Sequence, residues 1–346
     1  MSSTVLVTGG SGFLGSWVVR EFLKEGWRVR ATVRDATQEA KVGHLRRLGE
    51  EFAGTLELVE ADLLEEGSFE EPAEGASVVV HTASPFSLES GKDPESTLLR
   101  PAVEGTRNVL TAARRSSSVQ RVVLTSSVVA IHSDARDVAD TRHGYFDESY
   151  WNEKSSLDYQ PYNFSKVEAE RAAWAIAKGA PWPLVVLNPG FILGPSLSDR
   201  SDATSTRLLL RLLTGEFASG APPLAYGIVD VRDAGRAHFT AAVSEGIEGR
   251  HILVGTHASF LEIAHTLDRL SPGAHPLPQR EVPKLLLYLL APKIGISWRY
   301  IRRNAGIMPR YDNRKSLEAL GIHYRPLEET LRDQREQLIA SSLLPG

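Results

Sequence analysis

Tyr162 and Lys166 stand four residues apart, directly after Pro161. On a helix that spacing puts both side chains on one face. A tyrosine ordinarily ionises at about pH 10. A neighbouring ammonium favours the phenolate and lowers that value, giving a phenol that can donate or accept a proton near neutrality. Such pairs are common on helix surfaces, so the chemistry needs a third group. Ser127 supplies it: it follows the run Arg121–Thr125 and Ser126, and its hydroxyl can donate to a substrate carbonyl oxygen.

A carbonyl reduction also needs a hydride source, and the start of the chain is built to hold one. Thr4–Thr8 is a β-branched, apolar run with strand character. It leads into Gly9-Gly10-Ser11-Gly12-Phe13-Leu14-Gly15, and residues 16–23 carry Val18, Val19, Phe22 and Leu23 at helical spacing. Strand, glycine turn and helix in that order point to a dinucleotide. Gly9 suits the tight turn, Gly12 lets the backbone approach a pyrophosphate, and Gly15 lets the helix pack close to the strand. The helix N-terminus then offers N–H groups to the phosphates. Arg34 follows the next strand, Arg28–Val33, about 20 residues past the turn, where this fold meets the adenosine ribose. An acidic residue there selects NAD, whereas an arginine fork suits the 2′-phosphate of NADP. Asp35 beside it is the competing group, and Lys41 is a second cation. Asp62 can accept from the adenine amino group while Leu63 packs on its ring.

These residues must be positioned by a sheet. Helix 39–48, strand 56–60, strand 76–80, helix 97–115, strand Arg121–Thr125, helix 162–178 and strand 182–187 alternate along the chain, which predicts parallel strands flanked by helices. Residues 76–80 are nearly all apolar, as in a strand covered on both faces. The small residues after it, His81-Thr82-Ala83-Ser84, leave room at a topological switch point. Residues 133–159 are polar, acidic and aromatic, a long loop of the kind that carries function. Later come a short helix at 206–213, a helix at 230–243, a strand at 251–254 and two helices starting at Asn313 and Leu327, with Gly321 as a stop for the first. The fold class expected is α/β: a Rossmann-type doubly wound parallel sheet with a smaller, mostly helical C-terminal substrate lobe. Residues 1–188 plus about 227–257 are assigned to the dinucleotide domain, and about 189–226 plus 258–346 to the substrate lobe. The apolar block at 285–291 is expected to be core or pocket wall.

The composition narrows the partners. With 346 residues, 42% hydrophobic and 24% charged, the chain is an ordinary globular protein of about two domains. A net charge of -4 with interspersed signs gives no basic stripe for nucleic acid. The chain has no cysteine, which excludes thiolate chemistry and cysteine metal sites and fits a reducing cytoplasm. No histidine pair has metalloprotease spacing, so no metal is expected. Gly9-Gly10-Ser11-Gly12-Phe13 lacks the last glycine of a hydrolase nucleophile elbow. The start of the chain has no secretory character, and the apolar block is too short to span a bilayer.

Taken together, the chain resembles an extended short-chain dehydrogenase/reductase of the dihydroflavonol 4-reductase, cinnamoyl-CoA reductase and yeast-type carbonyl reductase branch. The matching residues are Thr8 to Gly15, Val33-Arg34-Asp35, His81 to Pro85, Thr125-Ser126-Ser127, Tyr162-Asn163-Phe164-Ser165-Lys166, Asn188-Pro189-Gly190 and Asp230-Val231-Arg232-Asp233, and the ending Tyr324 to Thr330 is similar to bacterial members. The resemblance implies a catalytic set of Ser127, Tyr162 and Lys166. It implies cofactor contacts from Gly9, Gly12, Phe13, Leu14, Gly15, Arg34, Lys41, Asp62, Leu63, Thr82, Ala83, Ser84 and Thr125, with Pro189, Gly190 and Ile192 near the nicotinamide. Five residues after the serine, plant flavonoid reductases typically carry an asparagine that recognises substrate hydroxyls; His132 stands here, as a loop hydrogen-bonder or a substrate contact. The expected activity is NADPH-dependent reduction of a ketone or aldehyde on a small hydrophobic or aromatic substrate, in a monomer or homodimer. Phe86, Tyr145, Phe191 and Tyr226 are the pocket candidates. The alternatives are an NAD-dependent nucleotide-sugar epimerase or dehydratase, for which Arg207 and Arg211 could grip a diphosphate, and a non-catalytic NADP sensor.

Overall fold

The computed structural model describes residues 3–84 and 93–344. Its strands are Thr4–Thr8 (β1), Arg28–Val33 (β2), Thr55–Glu60 (β3), Val78–His81 (β4), Arg121–Thr125 (β5), Leu184–Pro189 (β6), Phe191–Leu193 (β7), Ala225–Asp230 (β8), Gly249–Leu253 (β9) and Thr256–Ser259 (β10). Seven of them form one parallel sheet in the order β3-β2-β1-β4-β5-β6-β9. The order reverses between β1 and β4, so the carboxyl ends of these strands open the crevice where an α/β sheet binds its ligand. This is the Rossmann-type architecture expected from the alternation.

The helices are Phe13–Lys24 (α1), Glu39–Glu51 (α2), Glu70–Ala73 (α3), Arg100–Arg115 (α4) and Pro161–Ala177 (α5), then Thr204–Leu213 (α6), Val231–Val243 (α7), Phe260–Leu270 (α8), Lys284–Ile294 (α9), Trp298–Asn304 (α10), Arg314–Leu320 (α11) and Leu327–Ala340 (α12). Strand side chains alternate between faces, and the sheet is covered on both. Val5 and Val7 pack with Trp17, Val18 and Phe22 of α1 and Ala234 of α7. Leu6 points the other way and packs with Val109 and Leu110 of α4 and Ala173 of α5. Burying one such side chain is worth about 1.5–3 kcal/mol, and these two layers fix α5 against the sheet.

The three remaining strands form a second small sheet, β10-β8-β7. Leu209, Leu212, Ile228, Phe260, Ile263, Leu331 and Leu338 join it to α6, α8 and α12 in a separate core. The C-terminal region is otherwise helical. Gly321 ends α11 at φ 58°, a left-handed cap that glycine takes freely.

The apolar block at 285–291 departs from expectation. Ala291 is buried, but Leu285 is 74% and Leu289 69% exposed, with Leu286 and Leu290 on the same side of α9. A continuous apolar run has no period, so it cannot distinguish a buried face from an open one. No helix among the described residues is long and apolar enough to cross a membrane.

Candidate active site

The glycine turn closes by steric necessity. Gly9 sits at φ 68°, and a Cβ on it would come within 2.9 Å of Ala83 Cα. A Cβ on Gly15 would lie 2.2 Å from the Gly9 carbonyl oxygen. Gly12 caps α1, and no side chain bonds the first-turn amides there. They remain available to an anion, which is what a pyrophosphate requires. The ends of β1 and β4 are bolted together beside the turn: the Thr82 hydroxyl donates to the Thr8 carbonyl at 2.6 Å, and the Ala83 amide donates to Thr8 Oγ1 at 3.2 Å. Arg200 Nη1 also reaches the turn, donating to the Ser11 carbonyl at 3.4 Å.

After β2 and at the start of α2, Arg34 and Lys41 are both exposed. Asp35 is instead consumed by its own turn. It accepts from the Thr37 amide (2.8 Å), the Thr37 hydroxyl (2.6 Å) and Gln38 Nε2 (2.7 Å). These bonds hold its carboxyl below its ordinary range. Asp62 accepts from the Leu64 amide at 2.8 Å, and Leu63 packs against Gly105 of α4.

The catalytic candidates converge at the carboxyl ends of β4, β5 and β6. Pro161 starts α5, a position that suits its fixed φ. One turn on, Lys166 Nζ lies 5.8 Å from the centre of the Tyr162 ring. Lys166 lines a small cavity with Ala83, Ser84, Thr125 and Ser126. Ser127 accepts from the Val129 amide at 3.3 Å, and its hydroxyl donates to the Pro189 carbonyl at 3.4 Å. Burial pushes the Lys166 ammonium down to about 8, against a smaller opposing pull from Glu170. Burial also pushes the Tyr162 phenol up, well above its ordinary value. The phenol was expected to be lowered by its lysine. In the folded chain burial is the cause that moves the phenol, and it moves it up.

Sequence reasoning missed what holds these groups. Glu170, one further turn along α5, accepts from the Ser126 hydroxyl at 2.6 Å, Asn188 Nδ2 at 3.0 Å and Trp174 Nε1 at 3.2 Å. Its other charge partner is Arg250 of β9. Asn188 Nδ2 also donates to the Ser127 carbonyl at 3.1 Å. The stripe 162, 166, 170 on one helix face was the available signal. Thr125 Oγ1 is 2.8 Å from His238 Nε2, and the Gly190 amide donates to the Leu253 carbonyl at 3.0 Å.

Among the pocket candidates, the Phe191 and Tyr226 rings lie 5.4 Å apart, and Ile192 is half-buried in β7. His132 is buried, stacked on Phe146 at 4.3 Å, with Nε2 2.5 Å from the Tyr311 hydroxyl. Tyr145 stacks on His143 at 5.6 Å and accepts from Arg314 at 3.4 Å. Phe86 lies outside the described residues. Of the two diphosphate candidates, Arg211 is engaged by Glu216, Nε to Oε2 at 2.7 Å.

Comparison with known proteins agrees with this architecture. The family model of the NAD dependent epimerase/dehydratase family matches residues 5–255. A cinnamoyl-CoA reductase of Medicago truncatula is 34% identical over 345 residues, covering 98% of this chain and 96% of the relative. Tetraketide alpha-pyrone reductase 1 of Arabidopsis thaliana is 40% identical over 278 residues, covering 80% of this chain and 83% of the relative. The structure of Gre2 from Candida albicans, in complex with NADPH, superposes with a TM-score of 0.78 at 28% identity, over 98% of this chain and 99% of that one.

Proposed function

Because the chain belongs to the NAD dependent epimerase/dehydratase family, in the branch that includes plant-type and Gre2-type reductases, we propose that it is an NADPH-dependent carbonyl reductase. The observation that carries this reading is the junction of α5 with the ends of β4 and β5, where Lys166 faces Ala83, Ser84, Thr125 and Ser126 across one cavity. NADPH, when bound, supplies the hydride. The glycine turn and the uncapped start of α1 would hold its pyrophosphate, and Arg34 and Lys41 would pair with the 2′-phosphate. Thr82, Ala83, Ser84 and Thr125 would line its path, while Pro189, Gly190 and Ile192 would flank the nicotinamide.

Ser127 donates to the substrate oxygen and polarises it. Tyr162 gives that oxygen its proton. Burial leaves the phenol protonated at neutrality, so the proton to be given is in place, but it also makes the phenol a weaker acid, which a nearby cation must offset. Lys166 holds the ribose and, as an ammonium, stabilises the phenolate left behind. Preorganised donors of this kind act most strongly where charge develops.

The substrate is a small hydrophobic or aromatic ketone or aldehyde. Phe191 and Tyr226 form the apolar wall, and His132 with Tyr311 supplies a polar contact. A few placed polar groups in an apolar site is the usual design for small organic ligands. Arg211, bound to Glu216, is a poor diphosphate clamp, which weighs against a nucleotide sugar. The test is a panel of aryl ketones, aldehydes and UDP- and dTDP-sugars, followed by NADPH oxidation and product detection. Carbonyl reduction is expected; epimerised or dehydrated sugar without carbonyl reduction would overturn the reading.

A further inference from the structure

Gln160 precedes Pro161, and a residue before proline is driven toward extended backbone. It is also the N-cap of α5, a position that is ordinarily extended. Yet Gln160 sits at φ 55° and ψ 59°, in the left-handed region, with no side-chain cap on the helix. Left-handed residues other than glycine persist only where their surroundings hold them. Tyr162 follows two residues later, so the direction in which its phenol leaves α5 is set here.

The strongest of these surroundings is one carboxylate; the Gln160 amide also donates to Ser133 Oγ at 3.3 Å and accepts from Asn163 Nδ2. Asp134 is 0% exposed. Its Oδ1 accepts from Gln160 Nε2 at 2.7 Å and from the Tyr159 hydroxyl at 2.6 Å. Both residues that lead the chain into α5 therefore hang on the same atom. The remaining donors come from α10: Asn304 Nδ2 to Oδ1 at 2.8 Å and Arg303 Nε to Oδ2 at 2.6 Å. The Ala135 amide returns a bond to Asn304 Oδ1 at 2.9 Å. Arg303 continues onto Asp137, which Lys154 also pairs with at 2.7 Å. Four donors saturate a buried carboxylate, as its burial demands, and they come from two distant parts of the chain, residues 159–160 and α10, which also meet where Arg299 stacks on the Tyr159 ring.

We propose that Asp134 is a positioning residue for Tyr162: it holds Gln160 in the left-handed conformation that starts α5, and it does so only while α10 is docked on it. The inference rests on the reading of Tyr162 as proton donor. Its contribution to turnover thus passes through a backbone conformation, which glycine adopts without support.

That gives a test by substitution at position 160. Gln160→Ala removes the anchor but keeps the Cβ, and is expected to lower kcat about tenfold with NADPH affinity, by fluorescence titration, within about twofold. Gln160→Gly removes the same anchor and is expected to keep most of kcat. Asp134→Asn is expected to lower kcat in the wild-type background and much less in the Gln160→Gly background. Equal kcat for the alanine and glycine variants overturns the proposal, and so does an equal Asp134→Asn effect in both backgrounds. Should Asp134→Asn not fold, judged by circular dichroism, the alanine–glycine comparison decides alone. Failure of the underlying reading shows separately, as unchanged turnover in Tyr162→Phe.

Discussion

Glu170 and Arg250 form an ion pair deep beneath the candidate active site, Oε1 to Nε at 2.7 Å, with the glutamate side chain 0% exposed. The pair joins α5 to β9, and β9 joins β6, so the helix carrying Tyr162 and Lys166 is pinned to the far edge of the sheet. Breaking a buried pair by removing one partner leaves an uncompensated charge and costs about 3–5 kcal/mol. Arg250→Met should therefore lower unfolding stability by about that amount, read by chemical denaturation. A loss below about 1 kcal/mol would show that the pair does not hold the helix. Arg250 also donates to the Glu148 and Tyr150 carbonyls, so Glu170→Met in the same chain should restore only part of the loss.

Cofactor choice follows from the contrast between neighbours: Arg34 is exposed, whereas Asp35 is spent on Thr37 and Gln38. NADPH is expected to be used better than NADH. Arg34→Asp should raise KM for NADPH at least tenfold and leave KM for NADH within a few fold. A wild-type preference for NADH would remove Arg34 from the 2′-phosphate site.

Much of this was legible in the sequence because it is local. Arg28–Val33 and Arg121–Thr125 are strands with the boundaries their apolar runs suggest, and the glycine turn has the left-handed Gly9 its spacing calls for. What was not legible is mostly long-range. Strands β7 and β10 have three and four residues and exist only through pairing with β8. Arg250 matters because β9 inserts beside β6, and nothing near it in sequence reveals that. Asp134 reads as a loop acid until α10 arrives. Helix α8 was missed although its signal is local: Ser259 and Glu262 form a capping box that sequence alone displays.

Buried histidines set the acid limit of the fold. Burial is the main cause that lowers His44, His132, His238 and His251 from 6.5 to about 4, and His81 to about 3. A base whose folded pKa lies below its unfolded value binds more protons unfolded, so stability rises with pH between the two values. The stabilisation is fully present above pH 6.5 and is lost as pH falls toward 4. Each such histidine contributes up to about 1.4 kcal/mol per pH unit in that window. Unfolding free energy measured from pH 7 to 5 should fall steeply, and His238→Gln should reduce the slope by about one proton. A flat profile over this range would refute the neutral assignment.

The last prediction concerns the proton donor, where burial acts on two groups in opposite senses. Tyr162 is pushed up, so the phenol keeps its proton through the neutral range. Lys166 is pushed down to about 8, so it is an ammonium at neutrality and loses that charge a little above it. In the proposed mechanism reduction needs both the phenol proton and the ammonium, because the ammonium stabilises the phenolate formed as the proton leaves. Carbonyl-reduction kcat/KM should therefore be level on the acid side and fall as pH rises through about 8, where Lys166 loses its proton. Lys166→Met should remove that fall, lower turnover and weaken cofactor binding, since the lysine is also proposed to hold the ribose. Tyr162→Phe deletes only the hydroxyl. General acid catalysis is worth ~10²–10⁴-fold, so turnover should drop by that factor while NADPH affinity, followed by fluorescence, stays within about twofold. Near-normal turnover in Tyr162→Phe would exclude the phenol as donor. A wild-type rate that climbs through pH 8 would instead show that the deprotonated pair is the active form.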